Sequence, residues 1–254
     1  MIADAVRLAV GTFTVIPVPP PTRLDHPTAR LAMIIASVAT LPIGAAAAVA
    51  GVVGGLLDLP SLVTAALAIG VSVVGSRGLH LDGLADTADG LAASYDRAHS
   101  LEIMRRGNTG PIGAATLVLV LLLQVAATAS LLGRPWGPLA AGGLICLSRT
   151  SLLITCAAGV PAARPDGLGA LVAGAVPRPM TGVGVLLAGA AATGVLALTG
   201  SPWWLGAVAV LLASLTVLAL VARCRTRFGG VTGDVLGAGI EVSLALLLVV
   251  ATAR

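Results

Sequence analysis

Apolar residues fill this chain in runs of about twenty, the length that spans a hydrocarbon core. Seven runs stand out, at residues 31–57, 61–79, 113–132, 138–158, 180–199, 203–222 and 232–253. A shorter apolar stretch opens the chain and stops at the proline-rich residues 17–21. It has neither a cationic start nor a small-residue cleavage site, so it predicts an interfacial or partly inserted helix, not a cleaved signal. The pattern predicts an all-α, polytopic integral membrane helical bundle. One domain, residues 1–254, would hold about seven transmembrane helices and the N-terminal helix. No internal repeat suggests the inverted halves of many transporters.

Composition narrows the class. The chain is 57% hydrophobic and 10% charged, with a mean hydropathy of +1.02. Soluble domains carry roughly a quarter charged residues, and disordered segments are polar, so both classes are excluded. The net charge is only +4 and there is no basic helix, so no nucleic-acid partner is expected. The bilayer is the expected surrounding. Cys146, Cys156 and Cys224 include no C-x-x-C pair. An odd number suits neither a disulfide framework nor a structural zinc site.

Charge then sets the orientation. With residues before the first run placed in the cytoplasm, twelve arginines fall on that side, against Arg134 and Arg254 outside. Asp82, Asp86, Asp89, Asp96, Glu102, Asp166 and Asp234 fall inside as well, and Asp58 outside. Outer connections are short, while the inner ones, residues 79–112 and 159–179, are long enough to hold a site. The expected location is a bacterial inner or plasma membrane, with the active site on the cytoplasmic face. Trp136, Trp203 and Trp204 fall at the outer boundary, as an interfacial belt would.

The most informative segment is His80-Leu-Asp-Gly-Leu-Ala-Asp-Thr-Ala-Asp-Gly90. Asp82, Asp86 and Asp89, four and three apart, share one face of a helix, and Asp96 would join them if the helix ran on. Gly83 and Gly90 argue against an unbroken helix. Three like charges on one face destabilise it, and a hard divalent cation would offset the repulsion. The alternative is a solvated acidic face flanking a span. His80 reads as a substrate contact or a base.

A second segment, Arg223 to Asp234, opens the last run. Gly229, Gly230 and Gly233 would let backbone approach a ligand, and the helix N-terminus after them suits an anion. Asp234 adds a carboxylate at the depth of the first cluster. Arg223, Arg225 and Arg227 read equally as phosphate contacts or as a positive-inside anchor. Arg149 and Glu241 lie inside spans, where ions usually pair or line a functional cavity, and an Arg149–Glu241 salt bridge that orders the bundle and a functional role are both open.

These residues carry a resemblance. The segment from His80 to Gly90, Glu102 to Arg105, Gly229 to Ala238 and the Ile16–Pro19 piece resemble the cobalamin synthase family of adenosylcobinamide-GDP ribazoletransferases, in order and over nearly the whole chain. The family usually has an acid after the methionine here numbered 104. This chain has Arg105-Arg106-Gly107-Asn108 instead, so no role for that acid carries over. The resemblance implies a Mg²⁺-dependent transferase of late cobalamin biosynthesis. It would join adenosylcobinamide-GDP to α-ribazole or its 5′-phosphate and release GMP. It implies Asp82, Asp86, Asp89 and Asp234 as catalytic magnesium ligands, and substrate contacts from His80, Arg105, Arg106, Asn108, Arg227, Gly229, Gly230 and Gly233. A homo-oligomer or a complex with other cobalamin-pathway enzymes fits the same reading. Two alternatives are a CDP-alcohol phosphotransferase, whose downstream aspartate pair is missing, and a cation-coupled transporter, whose acids would lie at mid-membrane.

Overall fold

The computed structural model describes residues 1–93 and 95–253. Helix α1 (Ile2–Phe13) ends before the proline-rich segment, as the opening stretch predicts. Residues 31–57 do not form one span. They fall into the end of α2 (His26–Ile34), a single turn α3 (Ala36–Ala39), and α4 (Leu41–Leu56). The reason is local. Pro42 has no N–H to donate and restricts the residue before it, so a helix restarts at α4 with proline in its first turn. Thr40 meanwhile turns its hydroxyl back to Ala36 O at 3.1 Å.

Helix α5 (Ser61–Gly75) is followed by α6 (Leu79–Ala92) at an angle of 88°. Arg77 (φ 59°) and Gly78 (φ 69°) make the bend, both left-handed. Arg77 is anchored by a 2.7 Å hydrogen bond to Gly11 O of α1. Helix α6 is unbroken through both glycines. A Cβ on Gly83 would lie 2.7 Å from Asp234 O, and one on Gly90 2.7 Å from Met104. The missing side chains admit neighbours and do not interrupt the helix. It ends before Asp96, which instead caps α7 (Arg97–Arg105) by accepting from Ala98 N and His99 N. Asp96 is therefore off the carboxylate face.

The rest of the bundle is α8 (Pro111–Leu132), α9 (Gly137–Leu147), α10 (Ser151–Thr155), α11 (Gly167–Val172), α12 (Arg178–Ala197), α13 (Leu205–Phe228) and α14 (Gly233–Ala251). A 3₁₀ turn at Ser148–Thr150 joins α9 to α10, so Gly137–Thr155 reads as one span. Among the described residues five helices are long and apolar enough to cross a membrane, or six if α5 and α6 make one bent span. The protein is an all-α multi-pass membrane bundle, and α4 is a shorter apolar helix beside these spans.

Small residues let the helices close on one another, as they do in lipid. Gly44 of α4 meets Gly142 and Cys146 of α9, and Gly206 of α13 meets Thr193 of α12. At the end away from the aspartates, Arg134 donates to Ala251 O, Thr252 O and Ser201 Oγ, holding the C-terminus of α14. Trp136 and Trp203 are exposed at that end.

Candidate functional site

Helices α6 and α14 pack antiparallel, with His80 against Gly237 and Gly83 against Asp234. That register brings Asp82 and Asp234 to one cavity of about 180 Å³, which His80, Gly233 and Leu168 also line. The 145-odd residues between the two motifs are closed by a helix contact that only glycine at 83 permits.

Four acids meet there in different circumstances. Asp82 is exposed and Asp86 is buried. Asp86 lies within electrostatic reach of Asp82, Asp234 and Asp89, with Arg164 as the opposing charge. Asp234 receives the hydroxyl of Thr232 at 3.0 Å, and Thr232, not Asp234, caps α14. Asp89 is engaged differently. Its two oxygens accept Gly110 N at 2.7 Å and Gly113 N at 2.8 Å, at the start of α8. It therefore satisfies orphan donors of another helix and ties α6 to α8. Among the described residues no three His, Cys, Asp or Glu side chains converge closely enough to cage an ion alone. Magnesium rarely needs such a cage. It typically uses one or two carboxylates, waters and substrate phosphates, and hard oxygens from α6 and α14 are the right donors.

The sequence reasoning missed Arg164, counting it only as one more inner-face arginine. It lies in the connection between α10 and α12, which folds over the start of α14. Ala162 pairs with Val231 in an isolated bridge, and Gly230 has no room for a Cβ against Pro161 O. Arg164 Nη2 donates to Leu101 O at 2.6 Å, its Nε is buried without a partner, and its charge reaches both Asp86 and Asp234. Nothing in the local sequence marks this arginine. The available signal was the long inner connection that carries it.

Other expected contacts fall elsewhere. Gly229 (φ 77°) ends α13 in a left-handed turn against Arg97. With Gly230 it serves chain packing, and Gly233 alone of the three lines the cavity. Arg227 is buried, donates to Ala93 O at 3.1 Å and lies 4.5 Å over the Tyr95 ring. It thus holds the α6–α7 connection. Arg105 pairs with Asp166 at 3.1 Å and Arg106 with Glu102 at 2.8 Å, all exposed. Arg106 holds the Glu102 carboxyl below its ordinary range by hydrogen bond and charge. Asn108 is exposed beyond them.

Deeper along α14 the polar groups form a chain, in which His80 Nε2 and Arg149 Nε are buried without a hydrogen-bond partner. Gln124 of α8 donates to Glu241 Oε2 at 2.8 Å. Glu241 Oε1 lies 3.8 Å from His80 Nδ1, which faces Arg149 Nη2 at 3.4 Å. Arg149 Nη1 donates to Ile145 O and Ser148 Oγ. The direct Arg149–Glu241 salt bridge is not formed, because the imidazole stands between the two charges.

Residues 5–252 match the family model described as cobalamin-5-phosphate synthase. An adenosylcobinamide-GDP ribazoletransferase from Nocardioides sp. is 48% identical over 251 residues, 99% of each chain. One from Frankia casuarinae is 37% identical, covering 96% of this chain and 92% of the relative. Another, from Bradyrhizobium diazoefficiens, is 36% identical over 100% of this chain and 94% of its own. No solved structure matches the chain.

Proposed function

The chain belongs to the cobalamin-5-phosphate synthase family, and from that premise we propose that it is an adenosylcobinamide-GDP ribazoletransferase of the last steps of cobalamin biosynthesis. Its substrates are adenosylcobinamide-GDP and α-ribazole or its 5′-phosphate. A ribose hydroxyl attacks the corrinoid-side phosphorus of the diphosphate. A new P–O bond forms to the ribose, the P–O bond to GMP breaks, and the hydroxyl proton is lost. The observation that supports this reading is the convergence of Asp82 and Asp234 on one cavity from opposite ends of the sequence, with Asp86 and Arg164 in reach.

Asp82, Asp86 and Asp234 would hold Mg²⁺, which neutralises charge on the bridging phosphates when bound. Arg164 balances the acids from the facing loop. One of the exposed aspartate oxygens, on Asp82, can take the hydroxyl proton. Arg105, Arg106 and Asn108 would contact substrate from the open side, on the same face as the Asp166 connection. The twelve-to-two bias of arginines supports a cytoplasmic location for this end of the bundle, at a bacterial plasma membrane.

Membranes carrying the protein should convert adenosylcobinamide-GDP and α-ribazole to a complete corrinoid nucleotide and GMP. Chelation should stop the reaction and Mg²⁺ should restore it. No product under those conditions would sink the activity, and product undiminished by chelation would sink the metal. The native cysteines are buried, so Thr109→Cys reports orientation. It should resist an impermeant thiol reagent in intact cells and react after lysis.

A further inference from the structure

The site leaves Arg225 unused, and with it a cleft on the same end of the bundle. Helices α12 and α13 cross tightly near their other ends, where a Cβ on Gly206 would lie 2.1 Å from Thr193 N. Toward the aspartate end they part, leaving a wedge of about 510 Å³ between Thr181 of α12 and Leu218 and Val221 of α13, floored by Ile154. Its walls are almost wholly apolar, and two arginines stand at its mouth, Arg178 and Arg225. Both are exposed. Arg178 uses Nε on Ala158 O at 3.1 Å, and Arg225 makes no hydrogen bond or ion pair among the described residues. A second hollow shares Ala222 and Arg225 with the wedge and adds Thr226 and Gly229, on the polar side of the same arginine.

We propose that this wedge binds one anionic phospholipid. An acyl chain lies between α12 and α13 against Leu218 and Val221, and the phosphate is held by Arg178 and Arg225. The charge and the shape point to the same occupant. Unpaired cations at the ends of two spans attract anionic headgroups, and an apolar wedge opening at that level receives a chain, which a free phosphate does not have. Arginine suits the headgroup because its planar fork matches phosphate oxygens. The site is separate from the carboxylate cavity, whose lining shares no residue with the wedge.

The test uses the full chain in nanodiscs of mixed phosphatidylcholine and phosphatidylglycerol, released into native mass spectrometry. The wild type should retain one phosphatidylglycerol in preference to phosphatidylcholine. Arg178→Gln with Arg225→Gln should cut that retention roughly tenfold or more. Arg23→Gln, at an exposed arginine that lines neither hollow, should not. Leu218→Trp keeps both arginines and fills the wedge from a half-exposed position that tolerates a larger side chain. It should also lose the lipid. Retention unchanged in Leu218→Trp would mean that arginines alone attract the headgroup, and would overturn the proposal. So would equal retention of the two lipids by the wild type. Displacement of the lipid by excess inorganic phosphate would reassign the arginines to a free anion and overturn it as well.

Discussion

Helix α14 carries two carboxylates seven residues apart on one face, and they are treated in opposite ways. Glu241 is closed off: Gln124 donates to it, and the imidazole of His80 separates it from Arg149. Asp234 is left open, beside a cavity and among other acids, with only the Thr232 hydroxyl and the charge of Arg164 in opposition. Ionisable groups inside a bundle usually pair with one another, and a cluster held mainly by its own members is what ordering the helices requires. An open cluster of like charge stabilises nothing by itself. Its carboxylates are arranged for something that arrives. The contrast separates architecture from chemistry along a single helix, and substitutions on either side test it.

The largest effect belongs to the closed cluster. Glu241→Leu leaves the Arg149 guanidinium buried without its counter-charge, which should cost about 3–5 kcal/mol and lower the unfolding temperature of the detergent-purified protein. Adding Arg149→Met should recover most of that loss. If the double variant is no more stable than the single one, the two charges are not coupled through His80.

At the open cluster the expected loss is in turnover. Asp234→Asn and Asp82→Asn should each lower turnover by about 100-fold while the protein stays folded and inserted, because each removes a ligand and a charge. The double variant should lose far less than the product of the two. Independent, multiplicative losses would show that α6 and α14 do not share one site.

Gly83→Ala sharpens the comparison by moving the acids without changing them. Its Cβ would meet Asp234 O at 2.7 Å and Asp234 Cα at 2.9 Å, so α6 and α14 must part by about half an ångström or more. Turnover should fall about tenfold, with the midpoint for Mg²⁺ shifted upward. An unchanged midpoint would mean that the spacing of the two helices does not matter.

The smallest effect on turnover should come from Asp89→Asn. Asparagine keeps only one of the two acceptor oxygens, so either Gly110 N or Gly113 N loses its partner and stability should fall by about 1–3 kcal/mol. Turnover should change much less than for Asp82 or Asp234. A loss as large as theirs would return Asp89 to the ligand set that the family resemblance implies.

Much of this was legible in the sequence. Apolar runs of about twenty residues mark the spans from α8 onward because length and hydropathy are local properties. The four-and-three spacing of Asp82, Asp86 and Asp89 marks the helical face correctly. Pro42 was lost inside a long apolar run, so the break between α3 and α4 went unseen. The glycines were misread for one physical reason. Gly83 and Gly90 look like helix breakers until their partners, Asp234 and Phe228, are known to lie against them. The same distance in sequence hid the imidazole between Arg149 and Glu241, and hid Arg164, whose importance comes from where its loop folds.

The pairing of α6 with α14 also sets an order of assembly. A ribosome delivers His80, Gln124 and Arg149 to the membrane long before Glu241, and Asp82 and Asp86 long before Asp234. Until α14 leaves the insertion machinery, the nascent bundle holds a buried arginine without its acid and half of the carboxylate cavity. A chain stalled after α13 would therefore be inactive and also loosely folded, a ready substrate for membrane proteases. The contact that completes the carboxylate cavity is thus also the contact that completes the fold.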